Sequence, residues 1–530
     1  MLPVLCAVAA LVFLAGGAWA AMHEQMAIDP RGIALGNALS ADPPGPMSIH
    51  YNPAGLMHIR GKVLDAGITY PNIKIKARFE QPPNWQEFFG YGPDPVAGTE
   101  AETNGAGINI PFSGPASVSI LLGPNMGYGW RPPGARWAAG VALYAPFAVG
   151  LQWPSNAGTV YDAQYLYQQR IVLSPGIAYK LTDSLSAGIS LGIGSAAMGV
   201  RMDMRAPNDL VALTGVLGDL TRGLPDILTL GLIPFPLFGG GLDPFESIGR
   251  MTAANLQDNL TTSYNVGLLW EPVNWFSAGI CYQSESKAKF SGTFQLTYSQ
   301  RFQNMMNWLV ANDLLRIISD ALGLPTDGGV PFQRGRATIE FEFPRRVQGG
   351  IMLRPIKQVK LLVDANWVNW SSMKANVFEF DQPIQLLKVA YLIGYTGGNQ
   401  KLILPRYMKD TIHYHFGLEL MPLDWLTLRF GYEHRPSSVN PKYRDIMFAL
   451  PDLTLYSTGV GIRLTRDTNV DLSFSYVKGE DISSRQSDGT TSLLLNTREL
   501  TSLIYNPYAG LDVYQETNAV IFSAGITYQF

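Results

Sequence analysis

The chain has 530 residues, 47% hydrophobic and only 15% charged, with a net charge of −3. The charged share lies well below the roughly 25% usual for soluble domains, and the near-neutral balance leaves no electrostatic footprint for nucleic acid. The length fits one large barrel as well as several soluble domains.

Residues 1–20, MLPVLCAVAALVFLAGGAWA, are apolar and uncharged and end on Ala18-Trp19-Ala20. This small-x-small ending predicts a secretory signal peptide cut after Ala20; the alternative is a membrane anchor. Cleavage removes Cys6 and leaves Cys281 alone, so no internal disulfide is expected. No uncharged apolar run of roughly 18 residues or more follows, so no spanning helix is expected either.

Residues 21–61 are rich in Gly, Pro and Ala and show little alternation. Beyond them one unit recurs: strand, short turn, strand. Its turns lie near Thr182, Pro272, Pro355, Pro422 and Arg466. Fourteen strands are expected, near 62–80, 104–122, 136–150, 164–180, 185–203, 261–270, 275–297, 336–354, 359–380, 411–421, 425–436, 454–465, 469–479 and 519–530. In the last, Val520, Phe522, Ala524, Ile526, Tyr528 and Phe530 oppose Ile521, Ser523, Gly525, Thr527 and Gln529. An even count puts both ends on the short-turn side, as closure of an antiparallel barrel requires.

A soluble β-sandwich also alternates. Against it stand Trp270, Trp275 and Trp425 beside short turns, with Trp367 and Trp370 at a far strand end, in the pattern of an interfacial girdle. The chain also closes on Phe530 after an alternating strand, like a barrel assembly signal. The expected class is therefore all-β: a transmembrane antiparallel β-barrel of about 14 strands, residues 62–530, with residues 21–61 as a hatch plugging the lumen.

Alternation assigns Glu340, Glu342, Arg346, Lys360, Asp364, Glu419, Arg429, Glu433, Arg463 and Asp471 to the lumen. Internal ion pairs are their plain role, since a buried charge needs a partner. His413 and His415 face one way, but no third ligand is evident, and no metal or cofactor is expected. Pro146 sits in the middle of the third strand, where it cannot donate to a ladder. It marks either an opening in the wall or a harmless bulge. Two loops, near 204–258 and 299–335, are unusually apolar. The first carries Leu232, Phe235, Leu237 and Phe238; the second carries Leu309, Leu314 and Ile318 at near-helical spacing. Such patches bind ligand or pack on each other as a lid. No Walker loop, HExxH, CxxC or GxSxG is present, and no enzyme is expected.

Gly36-Asn37-Ala38, Ala41-Asp42 and Tyr51-Asn52-Pro53-Ala54-Gly55-Leu56 together resemble the hatch of the FadL/TodX (OMPP1) family. Asp364, Trp367 and Trp370-Ser371, then Leu428-Arg429-Phe430-Gly431-Tyr432, Pro451-Asp452 and Ser457-Thr458-Gly459, extend the resemblance along the chain. It implies passive uptake of long-chain fatty acids or hydrocarbons across a Gram-negative outer membrane. Apolar loops would capture the ligand and the lumen would hold it. A shift of the hatch, with Asn52, Pro53, Ala54 and Gly55 as its motif, would free it sideways beside Pro146. Fatty-acid carriers place cations near the carboxylate, and Arg201, Arg205, Arg406 and Lys409 lie in roughly corresponding strands and loops. The implied partners are a fatty acid, alkane or aromatic hydrocarbon, with outer-membrane lipid and lipopolysaccharide around a monomer. The alternatives are a general diffusion porin and, behind it, an outer-membrane lipid-modifying enzyme; the hatch and the apolar loops count against the porin.

Overall fold

The computed structural model describes residues 27–110, 113–390, 395, 397–446, 451–485 and 505–530. The expected signal peptide, Cys6 and hatch residues 21–26 lie outside the described residues.

Fourteen strands form one closed antiparallel sheet. They are β1 Gly61–Glu80, β2 Gly123–Arg131, β3 Trp137–Gln152, β4 Tyr165–Lys180, β5 Leu185–Met204 and β6 Gly249–Val273. Four more are each interrupted once: β7 Phe276–Gln283 with Ser286–Tyr298, β8 Phe332–Phe343 with Arg346–Ile356, β9 Val359–Val368 with Ala375–Phe380, and β10 Lys401–Pro405 with Thr411–Leu423. The wall ends with β11 Leu426–Arg435, β12 Leu453–Arg463, β13 Thr468–Gly479 and β14 Asp512–Gln529. Closure comes from β14 pairing with β1, from Val63↔Gln529 to Glu80↔Asp512.

The connections at residues 181–184, 274–275, 357–358, 424–425 and 464–467 are short and share one end with Gly61 and Gln529. Short turns on one side and long loops on the other are the build of a bacterial outer-membrane barrel. Leu173, Ile189, Leu268, Val363, Phe416, Leu472 and Phe522 point outward and are each 41–51% exposed. This band needs lipid, not water, around it. Trp130, Trp270, Trp275 and Trp425 edge it near the turns, and Tyr264, Tyr414, Tyr432, Tyr456 and Tyr476 edge it on the loop side. Among the described residues no helix is long and apolar enough to cross a membrane.

Four expectations change. The second wall strand is Gly123–Arg131, not 104–122; most of that stretch makes a separate hairpin, Ala106–Ile110 with Gly114–Val118. Its alternation is real, but one face packs on Tyr165 and Gln169 of β4. Glu340 and Glu342 point outward and pair with Lys289 and Lys287, whereas Ile339, Phe341 and Phe343 face the lumen. These residues lie beyond the lipid band, where the outside is water and the inside is the apolar cavity. Arg463 is exposed beside a short turn, which returns it to water. Trp370 is fully buried in the lumen and not part of a girdle, because a 3-10 turn at Trp370–Ser372 turns the chain inward.

Candidate functional site

Residues 27–60 fill the turn-side half of the lumen. Glycines on the inner wall make room for them: a Cβ at Gly431, Gly279, Gly188 or Gly129 would collide with Gly36, Ser40, Pro53 or Ile59. The hatch motif has local reasons for each residue. Asn52 Oδ1 accepts from the Ala54 nitrogen at 3.2 Å, capping the 3-10 turn Pro53–His58. Its Nδ2 donates to the Ser40 carbonyl at 2.9 Å and to Leu268 of β6 at 3.0 Å. Gly55 lies where a side chain would strike Pro43.

An ion-pair network locks the hatch to one side of the wall. Arg31 meets Asp42 at 2.5 Å and Glu419 of β10 at 3.3 Å. Lys360 of β9 meets Asp42 at 2.7 Å, and Arg429 of β11 bridges Glu419 and Asp471 at 2.8 and 2.5 Å. Asn37 donates to Glu433 at 2.6 Å, and Asp364 accepts from the Ser40 nitrogen at 2.7 Å. One hatch anion and one hatch cation, both outside the strands, show how tightly this is balanced. Burial disfavours charge on Asp42, yet Arg31 and then Lys360 hold its carboxyl far below the ordinary range. Burial likewise disfavours charge on Arg31, and Asp42 and Glu419 more than restore it.

Above the hatch lie two apolar cavities. The outer one, about 380 Å³, sits among three loop helices: α1 Asp209–Leu220, α2 Gln300–Leu309 and α3 Asp313–Ala321. Asn208, Ser299 and Asn312 cap them through their side-chain oxygens. Phe238, Leu309 and Ile318 line this cavity along with Val211, Phe302 and Met305. The two loops also grip each other: Trp308 Nε1 donates to the Pro234 carbonyl at 2.8 Å, and Asn312 to Leu232 at 3.0 Å. Leu232, Phe235, Leu237 and Leu314 do not line the cavity; Leu232 and Leu314 are exposed, as are Ile227, Leu228 and Leu230 of the first loop. The strand β6 begins at Gly249 and β8 at Phe332, so the loops span 205–248 and 299–331. The inner cavity, about 120 Å³, is lined by Met202, Met204, Met251, Leu296 and Phe380. Ala206, Ile248, Leu386 and Ala390 line both cavities, so a single wall separates groove from lumen.

Of the four cations expected near a carboxylate, two border the lumen and are matched by acids. Arg205 forms a two-pronged pair with Asp94 at 2.8 Å for each prong, and its Nε donates to the Pro507 carbonyl at 2.7 Å. Arg406 meets Asp445 at 2.6 Å. Arg201 and Lys409 are exposed. Two other arginines are also buried. Among the described residues Arg170 of β4 donates to hydroxyls, Thr261 and Ser263 at 3.0 Å each, and its guanidinium lies 5.7 Å from the Phe343 ring centre. Arg346 of β8 donates to His50 of the hatch at 3.3 Å. Burial first, and then Arg346, push His50 well below the usual imidazole value, so it stays neutral. Among the described residues neither arginine has a carboxylate partner. Both face one small cavity with Pro146, Phe147, Phe343, Asn366, Trp370 and His413. Strand alternation through Gln168, Arg170 and Val172 could have flagged Arg170; nothing in the sequence sets it beside Arg346.

The wall is incomplete next to that cavity. The β1–β2 ladder stops at Thr69↔Gly123 and the β2–β3 ladder at Met126↔Leu143. Above these points the two neighbours face each other without β2 between them. Ala145 and Pro146 are skipped in the β3–β4 register, which jumps from Tyr144 to Phe147. The 106–118 hairpin fills part of the opening, and a cavity of about 250 Å³ remains between Tyr70–Lys74, Leu121 and Gly150.

A family model described as outer membrane protein transport protein (OMPP1/FadL/TodX) matches residues 6–530. The chain belongs to this family. Its structure is similar to that of a Pseudomonas aeruginosa FadL homologue, at 17% identity and a TM-score of 0.66, over 97% of this chain and 100% of the other. It is also similar to the Pseudomonas putida toluene transporter TodX, at 15% identity and 0.60, over 96% and 99%. The Ralstonia pickettii toluene transporter TbuX follows at 15% and 0.57, over 96% and 99%. At such identities these likenesses speak for the fold. No curated protein matches the chain. As a FadL-family member it is an outer-membrane barrel of a Gram-negative bacterium, in a family of channels for hydrophobic compounds.

Proposed function

We propose that this FadL-family barrel takes up hydrophobic molecules bearing a carboxylate, long-chain fatty acids first, without energy input. The observation that carries the reading is the pair Arg170 and Arg346, two buried guanidiniums with no acid among the described residues to pair with, beside an aromatic-lined lumen cavity. A buried charge left unmatched is costly, and a ligand carboxylate would supply the match. In this reading the loop groove captures the chain, the inner apolar cavity passes it down, and the head group meets the two arginines. A hatch shift then frees it through the opening beside Pro146. Uncharged aromatic hydrocarbons form a second reading, favoured by the rings of Phe147, Phe343 and Trp370 around the same cavity, with Phe147 and Phe343 4.7 Å apart.

The test is displacement of a fluorescent long-chain fatty acid from the purified barrel in detergent. Palmitate acting at a tenfold or lower concentration than hexadecane or toluene supports the carboxylate reading. Toluene acting as well as palmitate supports the hydrocarbon reading. No displacement by either, with a large steady single-channel conductance, points to a porin.

A further inference from the structure

We propose that His413, His415 and Glu433 form a divalent transition-metal site, zinc being the first candidate, that fastens the hatch to the wall. The two histidines alternate along β10 with Tyr414 pointing outward, so both face the lumen. Strand β11 pairs alongside with His415 directly opposite Glu433. All three side chains are buried, and one donor atom from each lies within 4.8 Å of the other two.

The protonation of His415 is set by geometry. Its Nδ1 lies 2.9 Å from the Gly36 carbonyl oxygen. A carbonyl can only accept, so Nδ1 carries the proton and the neutral ring leaves a bare lone pair on Nε2. That Nε2 is buried and has no hydrogen-bond partner among the described residues, whereas Nδ1 is the ring nitrogen that lies 3.8 Å from Glu433 Oε2, so the His415 ring has to turn to offer Nε2 to an ion. One ring nitrogen donating to a backbone carbonyl while the other stays bare is the arrangement of a metal-bound histidine. Glu433 is already held by Arg435 at Oε1 and Asn37 at Oε2. Each oxygen retains a second lone pair, but the neighbouring guanidinium offsets the carboxylate charge. This disfavours calcium or magnesium, which bind through oxygen ligands, and favours an ion held by imidazole nitrogen. Two histidines and a carboxylate are also the donor set of open zinc sites. Zinc–nitrogen bonds of about 2.0–2.1 Å require the donors to draw together by roughly an ångström. Since Gly36 and Asn37 belong to the hatch, a bound ion would orient both groups that grip them.

The experiment uses the full-length, tag-free barrel in detergent, stripped with chelator and titrated with Zn²⁺ and, separately, Co²⁺. The expected result is one ion per chain, visible Co²⁺ absorption of a low-symmetry site with nitrogen ligands, and its displacement by Zn²⁺. His415→Ala and His413→Ala should each weaken binding at least tenfold, while His434→Gln on β11 should not. Zn²⁺ should raise the melting temperature of the unaltered protein and leave that of His415→Ala unmoved, provided the variant keeps the electrophoretic shift of a folded barrel. Binding that is equal in the unaltered protein and both histidine variants, or no binding by the unaltered protein, would overturn the site and leave the cluster as an ion-pair contact of the hatch.

Discussion

Arg346 of the wall reaches into the hatch and donates to His50 at 3.3 Å, while the His50 ring lies edge-on to Tyr144 at 5.0 Å, two residues before Pro146. One contact thus joins the unmatched cation, the plug and the strand that borders the opening. If a ligand carboxylate binds this cation, removing the cation removes affinity without removing a stabilising pair. Arg346→Met should weaken palmitate binding at least tenfold and leave toluene binding within about twofold. Ligand-free stability should hold or rise, because replacing an unmatched buried charge by an apolar chain is often neutral or favourable. A melting temperature that falls sharply with unchanged palmitate affinity would assign Arg346 a structural role.

The same contact makes hatch docking acid-sensitive. His50 is neutral when docked because of burial and then Arg346, and a freed imidazole takes up a proton near the ordinary value of about 6.5. Its folded value is lowered, so its docked contribution is complete above about 6.5 and declines as pH falls below. His58 moves the other way: burial opposes its charge, but Glu271 at 2.9 Å and then Asp42 outweigh burial and the opposing Lys360, so its contribution fades as pH rises. Channel openings in planar bilayers should therefore become more frequent on acidification below about pH 6, and His50→Gln should flatten that acid limb alone. Openings that do not respond to acid in the unaltered protein would dismiss the idea.

The hatch also depends on missing side chains. At Gly431 an added Cβ would strike the Gly36 nitrogen, and neither backbone can yield without breaking its strand or turn. Gly431→Val should give a folded barrel with a displaced hatch and raised ion conductance. Gly92→Val, in open space, is the matched control. Equal conductance in the two variants would mean that the hatch tolerates the intrusion.

Much of this architecture is legible in the sequence. The strands from 411 onward alternate cleanly because lipid on one side and a polar lumen on the other enforce period two. The second strand is not legible, since 104–122 and Gly123–Arg131 both alternate and only the first folds as a separate hairpin. Nor does alternation say which face is which. Ile339, Phe341 and Phe343 point inward because that stretch rises past the membrane, and the interruption at Pro344 and Arg345 resets the phase before Arg346. The site itself is less readable. Pro146 and the apolar loops are visible locally, but the meeting of Arg170 with Arg346, and of Glu433 with His415, depends on strand pairing that no single segment encodes.

The groove and the inner cavity share the wall formed by Ala206, Ile248, Leu386 and Ala390, and Ala206 is its smallest member along with Ala390. Ala206→Trp thickens this wall and obstructs a ligand crossing it, while leaving the groove residues on α2 and α3 in place. Whole-cell uptake of labelled fatty acid should fall by about tenfold or more, whereas initial capture on intact cells at low temperature should persist. Loss of capture and uptake together, with normal surface levels, would mean that the two cavities are one site.

Pro146 bears on the exit step. It is skipped by the β4 ladder, which resumes at Phe147, and stands above the last β2 pairing, so β3 is unpaired on its β2 side and interrupted on its β4 side there. Valine restores an N–H and favours extended pairing, so Pro146→Val should tighten β3 against β4 across the bulge and narrow the opening. Binding in detergent should stay within about twofold, because the cavity keeps its arginines and rings, while uptake by cells with normal surface levels should slow several-fold. This separation of binding from transport is what a lateral exit requires. Unchanged uptake would remove Pro146 from the path and leave it a bulge, and a parallel loss of binding would place it in the ligand cavity instead of the exit.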